Sequence, residues 1–171
     1  MYKYETHLHT KEGSACSSAP AADMARAHKA AGYDGIFVTD HFFNANTAVP
    51  RDLPWEDRVD RYFLGYEHAK KVGDEIGLKV WFGCEFTVYN ADFLIYGMEK
   101  DWMKANEELL MHTDERVLFS KLRNELDCFI VHAHPFRHAS YIHHISLYPY
   151  DVDAVAVSYT HLRAHETDQY L

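Results

Sequence analysis

The chain has 171 residues, enough for one domain with a sizeable core, and its 47% hydrophobic and 15% aromatic content is that of a globular protein. Acidic side chains number 26 against 17 basic ones, and the formal net charge of −9 argues against extended nucleic acid as a partner. No apolar run reaches about 18 residues, so no membrane association is expected. Cys16, Cys84 and Cys128 are unevenly spaced and form no C-x-x-C pair, which predicts free thiols in a reducing, cytoplasmic setting.

Met1 to Leu8 reads as a first strand. Ser18 and Pro20 then open a helix whose interior is Ala21 to Ala31, with Gly32 as its stop. Gly35 to Val38 is a second apolar run, and Asn44 to Pro54 is a loop. Val59, Phe63, Tyr66, Val72 and Ile76 recur at helical spacings and predict a helix over Trp55 to Ile76, ended by Gly77. Lys79 to Val88 and Asp92 to Tyr96 are further strands. Asp101 to Leu126 is mostly helical, with Leu118, Leu122 and Leu126 on one face. Cys128 to Val131 and Ala154 to Val157 complete the set. Alternating strands and helices favour a parallel sheet or barrel with crossover helices.

The residues with chemistry gather where the apolar runs end. His7-Leu8-His9-Thr10 closes the first strand, Thr39-Asp40-His41 the second, and His132-Ala133-His134 follows the fifth. On a strand, residues i and i+2 point the same way, so His7 and His9 can share one metal ion. Sites on α/β scaffolds collect at the carboxyl ends of strands, where solvated surface histidines have no reason to fall. Glu85, in Trp81-Phe82-Gly83-Cys84-Glu85, is a carboxylate within an apolar strand and a candidate bridge between two cations. Asp40 precedes His41 and would face the other way on a regular strand, which suits a residue that orients an imidazole, the alternative being a turn residue. Arg137 is a candidate phosphate clamp through its planar fork. His138, His143 and His144 read as surface residues.

The order His-x-His-Thr, Thr-Asp-His, Gly-x-Glu and His-Pro resembles the PHP family, the polymerase and histidinol phosphatase domain. The resemblance runs from about residue 3 to 156 and implies a distorted seven-stranded β/α barrel with two or three divalent ions (zinc, manganese or iron) at its carboxyl face. It implies that His7 and His9 bind one metal, that Glu85 bridges to a second bound by His134, and that His41 binds a third. Asp92 stands where many members have a His. Glu12, Ser14 and Cys16 are the alternatives for the remaining ligand of the third metal, with Glu12 favoured. His132 has no counterpart as a ligand and is expected to pack. The implied activity is hydrolysis of a small phosphomonoester, with Asp40 and Arg137 assisting. The alternatives are a nuclease or proofreading module and a metal-binding domain without catalysis.

Val157 to Thr167 reads like one frame of a transposase-based sequencing adapter, so 1–156 is taken as the domain and 157–171 as a foreign tail. The junction falls in codon 156, where Ala156 stands for a Glu common in relatives. His161 and His165 are accordingly not counted as ligands. The expected architecture is an incomplete barrel lacking its last strands, poorly stable and impaired in activity relative to an intact parent.

Overall fold

The computed structural model describes residues 1–89, 91–137 and 144–156. Its six strands form one sheet in sequential order: β1 (Tyr4–Leu8), β2 (Gly35–Val38), β3 (Lys79–Val88), β4 (Ala91–Tyr96), β5 (Phe129–Ala133) and β6 (Ala154–Ala156). The sheet curls into a half-barrel in a mixed α/β fold, in line with the incomplete barrel expected from the sequence. His138, His143 and the segment from 157 lie outside the described residues; His144 is exposed, as expected of a surface residue.

Strands β1, β2 and β3 run parallel, connected through α1 (Ala21–Ala30) and α2 (Trp55–Ile76). Glycine in the left-handed conformation ends α2, at Gly77 with φ 70°. The expected parallel pairing holds for β1 to β3 and for β5 with β6, and is interrupted at β4, which is antiparallel to both neighbours. The reason is length: residues 89–90 alone separate β3 from β4, too few for a crossover. The helical stretch that follows is three helices, α3 (Lys100–Ala105), α4 (Glu107–His112) and α5 (Glu115–Leu126). Asp114 starts the last by accepting a hydrogen bond from Arg116 N.

Alternation sorts β3 into two faces. Val80, Cys84, Phe86 and Val88 are buried toward the helices, where Trp55, Tyr62, Phe63, Leu118, Phe119 and Leu122 pack. Trp81, Gly83, Glu85 and Thr87 take the concave face. The register sets Glu85 opposite Leu94, and Leu94 opposite Val131, so a buried carboxylate shares a row with apolar side chains. Asp92 lies opposite Thr87 in the next row, nearer the rim.

Because β4 runs backwards, its first residues pair with the last residues of β3 and β5, on the rim where β1 and β2 also end. One rim of the half-barrel therefore collects His7 and His9, the Thr39–His41 segment, Asp92 and His134.

Candidate metal centre

Glu85 is the hub of this rim. Its side chain is 1% exposed and has four imidazoles around it. Oε1 lies 3.2 Å from His7 Nε2 and 3.1 Å from His134 Nε2. Oε2 lies 3.3 Å from His9 Nε2 and 2.8 Å from His41 Nδ1. His7 and His9 face each other, Nε2 to Nε2, at 3.0 Å. Asp92 Oδ2 lies 3.7 Å from His134 Nδ1 and 3.1 Å from Arg137 Nη2.

Each member of Thr39-Asp40-His41 has a different task. Thr39 fixes the end of β1: its Oγ1 accepts from Leu8 N at 2.9 Å and its backbone N donates to Leu8 O at 2.8 Å. Asp40 turns to the helix side and accepts from Thr10 N (2.6 Å), Thr10 Oγ1 (2.7 Å) and Ser14 Oγ (2.7 Å). The Tyr62 hydroxyl donates to the Asp40 carbonyl. His41 brings its ring to Glu85 on the concave face. Gly65 of α2 lets the helix close on this network, since a Cβ there would stand 2.4 Å from Thr10 Oγ1 and 2.8 Å from Asp40 Oδ2.

Ser14 is one of several ligand alternatives by sequence, and its place is structural. Its hydroxyl is committed to Asp40 as donor, while its oxygen accepts from His41 N at 2.9 Å. His9 Nδ1, 3.1 Å away, is therefore the donor to Ser14, which leaves the His9 Nε2 lone pair facing the rim. Asp40 thus acts on His9 through Ser14. Neither Ser14 nor Tyr62 has a sequence signal that marks it; the threonines at 10 and 39 stand inside the motifs.

Glu12, the favoured ligand alternative, is not at the rim. Its carboxylate accepts from Ala21 N at 3.0 and 3.2 Å, at the N-terminus of α1, and meets His68 Nδ1 at 3.1 Å. The unpaired N–H groups of that helix end attract it more strongly than any feature of its own loop. Cys16, by contrast, lines the same cavity of about 350 Å³ as His7, His9, His41, Glu85, His134 and Arg137. His132 packs, as expected: its ring is buried and stacks on Phe93 at 5.1 Å.

Burial pushes the Glu85 carboxyl up, but the contacts from His134, His41 and His7 outweigh it and hold the group far below the usual carboxylate range. Burial pushes His9 down to about 4, with Glu85 opposing. His41 would be lowered by burial, yet Glu85 outweighs that and raises it. Asp40 is pushed up to about 6 by burial, against the hydrogen bonds from Thr10 and Ser14.

The donor set fits divalent cations. Ligand atoms of His7, His9 and Glu85 lie within 4.8 Å of one another, as do those of Glu85, Asp92 and His134. His41 Nδ1 and Glu85 Oε2 are close, yet neither has a hydrogen-bond partner of acceptable geometry among the described residues. Imidazole nitrogens and carboxylate oxygens clustered at these distances are a set that a divalent cation can hold.

The PHP domain profile matches residues 5–167, and the chain belongs to this family. The match extends into the segment that reads as adapter. Among curated proteins no sequence matches. A two-domain protein from Bacteroides vulgatus, containing a predicted PHP-like metal-dependent phosphoesterase, shares the fold with TM-score 0.61 at 13% identity, over 95% of this chain and 42% of that one. A candidate metal-dependent phosphoesterase from Bifidobacterium adolescentis gives TM-score 0.51 at 12% identity, over 90% of this chain and 76% of that one. The chain thus spans less than half the length of the first. No helix among the described residues is long and apolar enough to cross a membrane.

Proposed function

We propose that this chain belongs to a metal-dependent phosphoesterase acting on a small phosphomonoester. The observation that carries the reading is the convergence of four imidazoles on the buried Glu85 carboxylate, beside a cavity into which Arg137 projects. Bound divalent ions would supply the Lewis acidity that polarises a phosphoryl group. His7, His9 and Glu85 would hold one ion; Glu85, His134 and Asp92 another. Asp40, through Ser14, keeps His9 in the tautomer that presents Nε2 to the ion. Arg137, held toward the cavity by Asp92, would orient phosphate oxygens through its fork. A cavity of about 350 Å³ and an acidic chain favour a small ester over a polymer.

The test is hydrolysis of p-nitrophenyl phosphate against bis(p-nitrophenyl) phosphate by the manganese- or zinc-loaded protein, with Glu85→Gln and His9→Ala alongside. Monoester turnover is expected, lost in both variants together with bound metal while their circular dichroism is unchanged. A protein that loads metal but prefers the diester, or turns over neither, overturns the reading.

A further inference from the structure

We infer that a cavity beside the metal rim seats the alcohol part of the substrate, where Tyr89 selects an uncharged alcohol that carries a flat ring. The inference rests on the phosphoesterase reading above. The cavity measures about 300 Å³, and its lining includes His41, Asn46, Thr87, Tyr89, Asp92 and Arg137. His41 and Arg137 also line the cavity of the four imidazoles. An ester with its phosphate in the first cavity therefore has room for its alcohol in the second.

The walls of the second cavity are fixed from several sides. Asn44 Nδ2 donates to Thr87 O at 2.6 Å, joining the loop beyond β2 to the end of β3. Ala15 N donates to Asn46 O at 2.9 Å and anchors the same loop to the segment after β1. Thr87 Oγ1 donates to Asp92 Oδ1 at 2.7 Å, while Asp92 Oδ2 meets Arg137 Nη2 at 3.1 Å. Tyr89 stands apart from these pairings. It follows β3 directly, is 86% exposed and has φ 50°. A left-handed position in a tight turn favours glycine or asparagine, and open solvent favours a polar side chain. Neither local rule calls for tyrosine, whereas recognition of a ring beside the reaction site does.

Charge narrows the ligand further. Among the described residues that line this cavity, Arg137 is the one lysine or arginine, and it stands at the wall shared with the phosphate's cavity. Past Thr87 and Tyr89 the space continues as a cavity of about 360 Å³ that reaches His112, Asp114 and Glu115. A second phosphate or a carboxylate on the alcohol would thus meet Asp92, Asp114 and Glu115, with no further lysine or arginine among the described lining residues to match it. A neutral ring has no such penalty. It would stack on Tyr89 and present its polar edge to Asn46.

Two matched pairs of esters test this on the manganese- or zinc-loaded protein: adenosine 5′-monophosphate against ribose 5-phosphate, and glycerol 1-phosphate against 3-phosphoglycerate. Expected is a kcat/KM about tenfold higher for the ring-bearing ester, and about tenfold lower for the carboxylate-bearing one. Tyr89→Ala should bring the first ratio to within about twofold of unity, through KM, while Tyr89→Phe preserves it. A readout without turnover is saturation-transfer NMR of adenosine on the metal-free protein. Its base protons should be saturated by the wild type and by Tyr89→Phe, and not by Tyr89→Ala. Equal turnover of the ring pair, or a ring preference that survives in Tyr89→Ala, overturns the Tyr89 assignment alone. A carboxylate-bearing ester turned over as fast as its neutral counterpart overturns the selection by charge. If no ester is hydrolysed the phosphoesterase reading falls, and an adenosine signal absent from the wild type or retained in Tyr89→Ala overturns the role of Tyr89 independently.

Discussion

His132 and His134 stand two residues apart in sequence, and their rings go to opposite faces of the sheet. His132 lies in β5 and stacks on Phe93 on the helix side, with Tyr148 edge-on at 5.6 Å. His134 follows the strand with φ 34°, a left-handed backbone that turns its ring to the concave face, 3.1 Å from Glu85. The bond from His134 N to Ala156 O and the turn closed by Arg137 N to His134 O, both 2.9 Å, hold this conformation.

The two residues should therefore separate stability from metal binding. His132→Ala is expected to lower unfolding free energy by about 1–3 kcal/mol through lost packing, with metal stoichiometry unchanged. His134→Ala should do the reverse. Urea unfolding of the metal-free proteins, paired with elemental analysis of loaded ones, distinguishes them; the same pattern in both variants would remove the distinction.

Gly65→Ala offers a change of sign. In an ordinary helix interior the substitution stabilises by about 0.5–1 kcal/mol. Here the new methyl meets Thr10 Oγ1 at 2.4 Å and Asp40 Oδ2 at 2.8 Å, and both belong to a hydrogen-bonded group fixed from three sides. A net loss of about 1–3 kcal/mol is expected, read by urea unfolding. Gly32, where an added Cβ would meet nothing within 4 Å but φ is 79°, should lose stability through backbone strain alone on the same change.

Asp40 gives a pH signature. Its folded-state value of about 6 lies above the ordinary 3.8, so between these limits the folded state takes up a proton that the unfolded chain does not. The contribution of Asp40 to stability is thus greatest below the ordinary value and is diminished as pH rises through 6. The advantage of the wild type over Asp40→Asn, in metal-free protein, should be larger at pH 4.5 than at pH 7 by on the order of 2 kcal/mol. Equal gaps at the two pH values would show that the carboxyl titrates normally.

Arg137 should act on phosphate and spare the metals. Arg137→Lys keeps a charge near Asp92 but loses the fork, so inhibition by inorganic phosphate is expected to weaken about tenfold, with metal content intact. Loss of metal in this variant would instead assign Arg137 to holding Asp92.

The histidine motifs and Glu85 are legible in the sequence because their signal is local: polar groups at the ends of apolar runs, or in the wrong phase of one. The helices over Ala21–Ala30 and Trp55–Ile76 are legible for the same reason, through periodicity, an early proline and a terminal glycine. What the sequence hides is partnership at a distance. Glu12 sits beside the His7–His9 motif, yet its partner is a helix end nine residues on, and nothing in its neighbours reveals that. Tyr62 has the spacing of a core aromatic, and only the fold shows that its hydroxyl secures Asp40 from behind. The reversal of β4 is readable from the short link after Val88, but alternation with helices suggests the parallel alternative.

That reversal also orders events in time. A hairpin brings Asp92 to the Glu85 side of the rim by closing a very short loop, whereas His134 reaches Glu85 across 49 residues, and the histidines of β1 across more. Short closures cost less chain entropy and form sooner. The two carboxylates should assemble early in folding, and the imidazoles arrive late. The folding chain thus carries an acidic pair before it carries a metal centre, and its affinity for soft cations is among the last properties it acquires.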